Sequence, residues 1–336
     1  MKKSKHILII RLSAMGDVAM TVPVLRELIK TNSSYKISIL TNSQYFCFFR
    51  EFRSLNLIQF EKHQRHKGLI GLLRLFRELK KLEIDYVIDL HDVLRTKFLK
   101  LLFNIPFYQI DKGRIEKQKL ISGEAFKPLK NTHQRYRDVF NNLGVLIKPL
   151  INQKFDKVDI SYLKIWPQNK STKTIGIAPF AAHKGKTYSI KLMEEVIKTL
   201  AIDFNVFLFG GGEKEEIELD ELSNKYHNVV NLANKHSLDQ QMDLISNLDI
   251  MISMDSANGH IAALLGVKVL TIWGLTHPYA GFSPYGQSEE NNILVKRSLF
   301  PKIPTSIYGN KSPNGYENAI NTIKTSEIIN RVRELT

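Results

Sequence analysis

The chain alternates two kinds of stretch. Short, continuous apolar runs are bounded by turn residues, and between them lie longer stretches with apolar residues at helical spacing. His6-Ile7-Leu8-Ile9-Ile10 is the first run, and it ends at the turn-like Ser13-Ala14-Met15-Gly16-Asp17. The amphipathic stretch Val18 to Lys30 predicts a helix, and Tyr35 to Leu40 a second strand. Leu69 to Leu82 reads as a long basic amphipathic helix, and Tyr86-Val87-Ile88-Asp89-Leu90 as the next strand. From Phe103 to Phe155 the pattern is mixed, with one helix expected around Arg135 to Leu143. Unbroken apolar strands separated by amphipathic helices are the pattern of parallel sheets covered on both faces.

The same grammar restarts in the second half, after a polar, Pro-containing stretch from Ile165 to Thr172 that reads as a linker. Strand patterns at Thr174–Ala178, Phe204–Phe209, Val229–Leu232, Asp249–Ser253 and Val267–Trp273 are separated by helical ones. Those are Ile190 to Leu200, Glu213 to Lys225, Leu238 to Asn247 and Asn258 to Leu265. Phe282 to Tyr316 reads as loop, and a last helical stretch runs to Leu335. The 336 residues suit two domains. The expected fold class is therefore α/β, with two Rossmann-like, doubly wound domains, 1–165 and 172–315, facing a cleft. Segment 316–336 is expected to pack back across them. In open α/β sheets ligands bind outside the carboxyl ends of the strands, so the loops after the strands are where chemistry is expected.

Composition fits ordinary globular domains, at 43% hydrophobic and 24% charged residues. No stretch approaches the roughly 20 apolar residues that span a bilayer. The run Ile7 to Ile10, interrupted by Arg11, is too short for a signal-peptide core. A cytoplasmic location is expected. Cys47 is the only cysteine, so neither an internal disulfide nor a cysteine-built metal site is expected, and its aromatic neighbours suggest a buried small apolar residue.

Charge changes the picture more. The net charge is +15, and all of the excess lies in residues 1–150, with 28 basic and 13 acidic side chains against 20 of each in 151–336. Such asymmetry points to an anionic partner: nucleic acid, a membrane surface or a phosphorylated substrate. The bland alternative is a solubilising charge. No nucleic-acid module is present, so no nucleic-acid partner is expected. Arg50 to Lys81 is rich in Lys, Arg, Leu and Phe. It either lies against anionic headgroups, giving peripheral contact with the membrane, or turns its apolar face into the core.

Four loops carry candidate chemistry. Met15-Gly16-Asp17 follows the first strand, and Asp17 is either a functional carboxylate or a residue that stabilises the next helix through its dipole. Met254-Asp255-Ser256-Ala257-Asn258-Gly259-His260 follows another strand and opens a helix, where small residues with free N–H groups suit a diphosphate but also suit plain capping. Pro179-Phe180-Ala181-Ala182-His183-Lys184-Gly185-Lys186 offers a lysine to a phosphate, or only an exposed loop lysine. Gly210-Gly211-Gly212 with Glu215 and Glu216 suits close ligand approach with a carboxylate for two ribose hydroxyls, or a solvated acidic helix face. There is no Asp-x-Asp pair, zinc spacing, Walker loop, dinucleotide glycine fingerprint or nucleophile elbow, so neither a metal nor another cofactor is expected.

In order and spacing, these loops resemble the ADP-heptose:lipopolysaccharide heptosyltransferases, glycosyltransferase family nine. The likeness rests on Ile10 to Val18 with Thr21 to Leu25, on Asp255 to His260 with Ala262-Ala263, and on Ile272-Trp273-Gly274-Leu275-Thr276-His277-Pro278. It spans nearly the whole chain. It implies a GT-B fold and an inverting transferase without an essential metal. The N-terminal domain would bind a lipopolysaccharide-core or other anionic glycolipid acceptor, at the inner face of the cytoplasmic membrane. The C-terminal domain would bind the nucleotide-sugar donor, ADP-heptose.

By this resemblance Asp17 is the general base and Lys186 the cation at the departing diphosphate, with Lys184 competing for that role. Asp255, Ser256, Ala257, Asn258, Gly259 and His260 bind the donor, with Glu216 on the ribose and Ala181 and Ala182 also beside the donor. Arg95, Lys97, Arg135 and Arg137 are candidates for acceptor phosphate or carboxylate. The chain departs from the family pattern at Ala14, Ala181 and Ala182, where hydroxyl side chains are usual, and at Ala257, where glycine is. These changes leave another nucleotide sugar open as donor. Three other classes compete: a sugar-nucleotide epimerase or hydrolase, a nicotinamide oxidoreductase, and a non-catalytic glycolipid-binding relative.

Overall fold

The computed structural model describes residues 4–32, 34–150, 155–163, 165 and 172–336. Residues 166–171 of the expected linker lie outside them. The chain divides into two compact units. One comprises Met1–Lys112 with Thr132–Asn152, and the other Gly113–Asn131 with Gln153–Thr336.

The first unit is built on five parallel strands: β1 (His6–Ile10), β2 (Lys36–Thr41), β3 (Asn56–Gln59), β4 (Tyr86–Asp89) and β5 (Phe107–Gln109), in the order β3-β2-β1-β4-β5. In the centre Ile9 stands beside Ile39 and Ile88. All five residues of β1 are buried, which is why it reads as an unbroken apolar run. β3 and β5 were not expected. They are the two edges, short and only partly buried, so neither carries a full apolar run. The predicted helix Val18 to Lys30 is two helices, Met15–Ala19 and Thr21–Thr31. Pro23 has no N–H to give the Ala19 carbonyl, so the ladder breaks at Met20. Helices Gly68–Lys80 and Leu94–Leu102 pack on each other, as do Thr21–Thr31 and Thr132–Asn142. The latter pair buries Glu27, which has no exposed surface and takes two bonds from Arg137, Nε at 2.6 Å and Nη2 at 2.7 Å. Cys47, expected to be buried, is half-buried.

The second unit has six parallel strands: β6 (Thr174–Ala178), β7 (Asn205–Leu208), β8 (Val229–Asn231), β9 (Ile250–Met254), β10 (Lys268–Trp273) and β11 (Asn292–Leu294). Their order is β11-β10-β9-β6-β7-β8. Ile175, Ile177, Val206, Leu208, Ile250 and Ile252 meet Met193, Val196, Ile197 and Leu200 of helix Ile190–Leu200 in the core. Helix Thr325–Leu335 packs on that helix and on β10, inside the same unit. β11 lies in the stretch read as loop, being a three-residue edge strand. Gly113–Asn131 groups with this unit although it precedes the first unit's last helix. Phe126 sets its ring 5.0 Å from His277 and 4.9 Å from Tyr279, and the Leu129 N–H donates to the Tyr279 carbonyl at 3.0 Å. Among the described residues no helix is long and apolar enough to cross a membrane.

Candidate active site

In the second unit the candidate residues converge on the end of β9. Asp255 follows that strand directly, and its side chain is nearly buried. Oδ2 stands 3.3 Å from Lys186 Nζ and accepts a bond from Thr276 Oγ1 at 2.9 Å. A carboxylate this enclosed needs such partners, because an unpaired buried charge is costly. Ser256 then caps helix Ala257–Leu264 by position, without a side-chain bond to the helix. Its Oγ lies 3.1 Å from Ser253 Oγ instead. The first-turn N–H groups of Ala257, Asn258 and Gly259 are left to a ligand by that arrangement. His260, also buried, is on the same turn.

Lys186 owes its place to three interlocked loops. Leu275 N–H donates to the Gly185 carbonyl at 2.7 Å, and Thr305 N–H to the Leu275 carbonyl at 2.9 Å. A Cβ on Gly274 would sit 2.2 Å from the Gly185 carbonyl oxygen, so only glycine allows this approach. Gly309, at φ +72°, lies against the Lys186 stem, where a Cβ would meet Cγ at 2.4 Å. Downstream, buried Tyr188 gives its N–H to Met254 Sδ at 3.5 Å and its hydroxyl to the Ile323 carbonyl at 2.8 Å. Lys186 is therefore the loop lysine that reaches Asp255, while Lys184 is exposed. In the same loop Ala181 is packed partly against the core and Ala182 is exposed.

Glu216 is in the first turn of helix Glu213–Ser223. Its Oε2 accepts from Asn234 Nδ2 at 2.9 Å. Asn234, at φ 55°, also takes the Gly212 N–H at 3.1 Å, and Glu215 takes the Gly211 N–H at 2.8 Å. The three glycines are thus held open at the end of β7 by side chains on both flanks.

In the first unit Asp17 sits in the short helix Met15–Ala19 that follows β1. Its Oδ2 forms an ion pair with Arg11 Nη2 and lies 3.4 Å from the Ala14 N–H. The Arg11 guanidinium is buried, with only 8% of its side chain exposed, whereas 28% of Asp17 remains open. Arg11 also donates to the Leu90 carbonyl at 2.6 Å, and the fully buried Tyr136 gives its hydroxyl to the Asp17 carbonyl at 3.2 Å. Burial, then Arg11 and Lys112, push the His91 imidazole down to about 3, so it is neutral at pH 7. Its Nδ1 accepts from the Leu12 N–H at 3.4 Å. Beneath it, buried Asp89 accepts from the N–H groups of His91 and Asp92 at 2.9 and 3.0 Å.

Arg95 and Lys97 are exposed in the first turn of helix Leu94–Leu102, at the sheet edge that carries Asp17, with Lys97 Nζ 3.6 Å from Asp92. Arg135 is buried and donates to the Asp111 carbonyl at 3.2 Å. Arg137 gives two bonds to the buried Glu27, from Nε and Nη2. Sequence reasoning did not single out Arg11, Tyr136, Thr276 or Asn234. Arg11 and Thr276 stand inside the quoted signatures, so position was a signal for both. Tyr136 and Asn234 gave none, because their partners are 119 and 22 or fewer residues away.

The chain is 22% identical to lipopolysaccharide heptosyltransferase 1 of Campylobacter coli, over 98% of each chain. It shares the fold of a family 9 glycosyl transferase from Veillonella parvula, with a TM-score of 0.77 at 17% identity, over 100% of this chain and 98% of that one. It shares the fold of the E. coli heptosyltransferase WaaC with ADP as well, with a TM-score of 0.71 at 18% identity, over 98% and 100%. The family model for glycosyltransferase family 9 (heptosyltransferase) matches residues 72–304, well over half of the sequence, and the chain belongs to that family.

Proposed function

We propose that this glycosyltransferase moves a heptose from ADP-heptose to the lipopolysaccharide inner core, or to a related anionic glycolipid, with inversion and without an essential metal. The name of the Campylobacter coli relative and the ADP in the E. coli structure support this choice of substrates. The observation that carries it is the buried Lys186–Asp255–Thr276 cluster at the uncapped start of helix Ala257–Leu264. A fixed cation and a row of N–H groups at one helix start suit a diphosphate that gains charge as it leaves. The acceptor would be held in the first unit by Arg95, Lys97 and Arg135, and the reaction would run at the cytoplasmic face of the membrane.

In the reaction an acceptor hydroxyl oxygen attacks the anomeric carbon from the side opposite the diphosphate. The new C–O bond forms as the bond to the phosphate oxygen breaks, and that oxygen keeps the electron pair. Asp17 takes the hydroxyl proton. A carboxylate suffices as the base, because the hydroxyl becomes strongly acidic as it bonds to carbon. Arg11 holds the carboxylate in one orientation. Lys186 and the N–H groups from Ser256 to Gly259 balance the charge arriving on the diphosphate. Asp255 orients Lys186 and faces the sugar, His260 lines the diphosphate, Glu216 takes the ribose hydroxyls, and the backbone at Ala181 and Ala182 borders the phosphates.

Calorimetry with ADP-, GDP- and UDP-linked sugars, on the wild type and on Asp17→Ala, tests the reading. One nucleotide sugar should bind both proteins, and only the wild type should transfer it, with EDTA making no difference. Absence of binding by every nucleotide sugar to the wild type would overturn the proposal.

A further inference from the structure

Helices Gly68–Lys80 and Leu94–Leu102 of the first unit pack against each other, and their inner faces are ordinary core. Gly71, Leu72, Leu75 and Leu79 are buried in the one, Thr96 and Leu99 in the other. Their outer faces are not those of a water-facing helix pair. Ile70 is 77% exposed, Leu94 86% and Leu101 83%, with Leu69 beside them at 63%. Helical spacing puts Ile70, Arg74, Arg77 and Lys81 in one outward stripe, and Leu94, Lys97 and Leu101 in another. The four cations are exposed.

The charge around these leucines is of one sign. Residues 62–82 hold seven Lys or Arg and a single acid, Glu78, which is already paired with Arg65. Residues 94–102 hold three basic residues and no acid. Apolar side chains set among an excess of cations do not fit a protein partner with an apolar core. They fit a surface with fixed negative charge outside and hydrocarbon beneath. The topology places this surface usefully. Both helices start at the carboxyl edge of the sheet, where Asp17 also stands after β1, so Leu69, Ile70 and Leu94 share the edge with the candidate base.

We infer that the outer faces of these two helices are a docking surface for an anionic lipid bilayer. Ile70, Leu94 and Leu101 enter the headgroup region while Arg74, Arg77 and Lys81 lie among the lipid phosphates. This names the contact face for the membrane location proposed above and rests on that reading. Of the two alternatives for Arg50 to Lys81, both hold on different faces: the main apolar face of helix Gly68–Lys80 is core, and the contact is made by its outer face together with the following helix.

The test is flotation of the full chain with vesicles of phosphatidylcholine alone, or of phosphatidylcholine doped with phosphatidylglycerol. The wild type should float with the doped vesicles only, and less as salt rises. The triple variant Ile70→Ser, Leu94→Ser, Leu101→Ser and the double variant Arg74→Gln, Arg77→Gln should each lose at least about tenfold in partitioning. Both should keep wild-type circular dichroism and wild-type transfer to a delipidated, water-soluble acceptor. That second readout separates the two ideas: loss of transfer by the wild type sinks the enzyme reading, not the docking face. The docking face is overturned if the wild type ignores doped vesicles or if the variants float as well as it does. It is equally overturned if the wild type dimerises through this face, with the leucine variant monomeric and neither binding vesicles.

Discussion

Asp17 and Asp255 each follow the end of a parallel strand, and each is ion-paired to a cation, yet the two pairs are built in opposite senses. In the first unit the cation is the buried partner and the carboxylate is partly open. In the second both partners are enclosed, Lys186 at 14% and Asp255 at 9% side-chain exposure, and Thr276 adds a hydrogen bond to the carboxylate. An open carboxylate held by a buried arginine is oriented but still able to accept a proton. An enclosed carboxylate held by a lysine and a hydroxyl is a fixture, whose work is to aim the lysine. Under the proposed function, the same residue type after a strand end serves chemistry in one unit and architecture in the other.

Breaking each carboxylate should give different losses. Asp17→Ala should lower kcat by about 10³-fold or more, with donor affinity unchanged, since only a proton acceptor is removed. Asp255→Ala should weaken donor binding and also lower Tm, because it strands a buried ammonium. Equal loss of donor binding in both variants would collapse the distinction. Next in size is the lysine pair. Lys186→Met should cost about 10²-fold in kcat, the scale seen when one preorganised donor is removed from a charge-developing site. Lys184→Met should stay within about twofold, as expected for an exposed lysine with no fixed partner. The reverse ranking, measured under saturating donor, would show that the loop shifts register when donor binds.

How much of this was legible follows from physical range. β1, β6 and β9 are buried along their full length, so burial wrote itself as apolar runs. The edge strands β3, β5 and β11 are short and half-wet, and their sequences look like loop. The loops with Asp17 and Asp255 could be found because strand, turn and helix are contiguous there. Whether each carboxylate is open or enclosed could not, since the enclosure of Asp255 depends on partners such as Thr276, 21 residues further along. The Arg137 pairing was equally hidden: its partner Glu27 lies 110 residues earlier, and nothing near Glu27 in the sequence announces that it is buried.

The next smaller effect concerns Glu216, which is tied to Asn234 in the glycine-rich loop. Glu216→Ala should raise the donor KM about tenfold with little change in kcat, since a ribose contact is made equally in ground and transition states. A fall in kcat instead would put this carboxylate nearer the reacting carbon.

The smallest effect expected is a gain. Ala181 and Ala182 occupy the loop ahead of Lys186, at positions where the family commonly offers hydroxyls. Their environments differ, and the difference decides which one can be restored. Ala181 is packed partly against the core, so a larger side chain there competes with existing contacts. Ala182 is exposed, so a serine adds an oxygen without displacing anything. Ala182→Ser should tighten donor binding by about three- to tenfold, the value of one ordinary net hydrogen bond, and should leave Tm unchanged. Ala181→Ser should give less, with a small loss of stability. Calorimetry with the ADP-linked sugar on both variants reads this directly. If Ala181→Ser gives the larger gain, the donor lies deeper against the loop than Lys186 and Asp255 imply. If neither gains, the phosphates are held by backbone N–H groups alone at this loop, and the fixed pair in the second unit carries the recognition without help from these side chains.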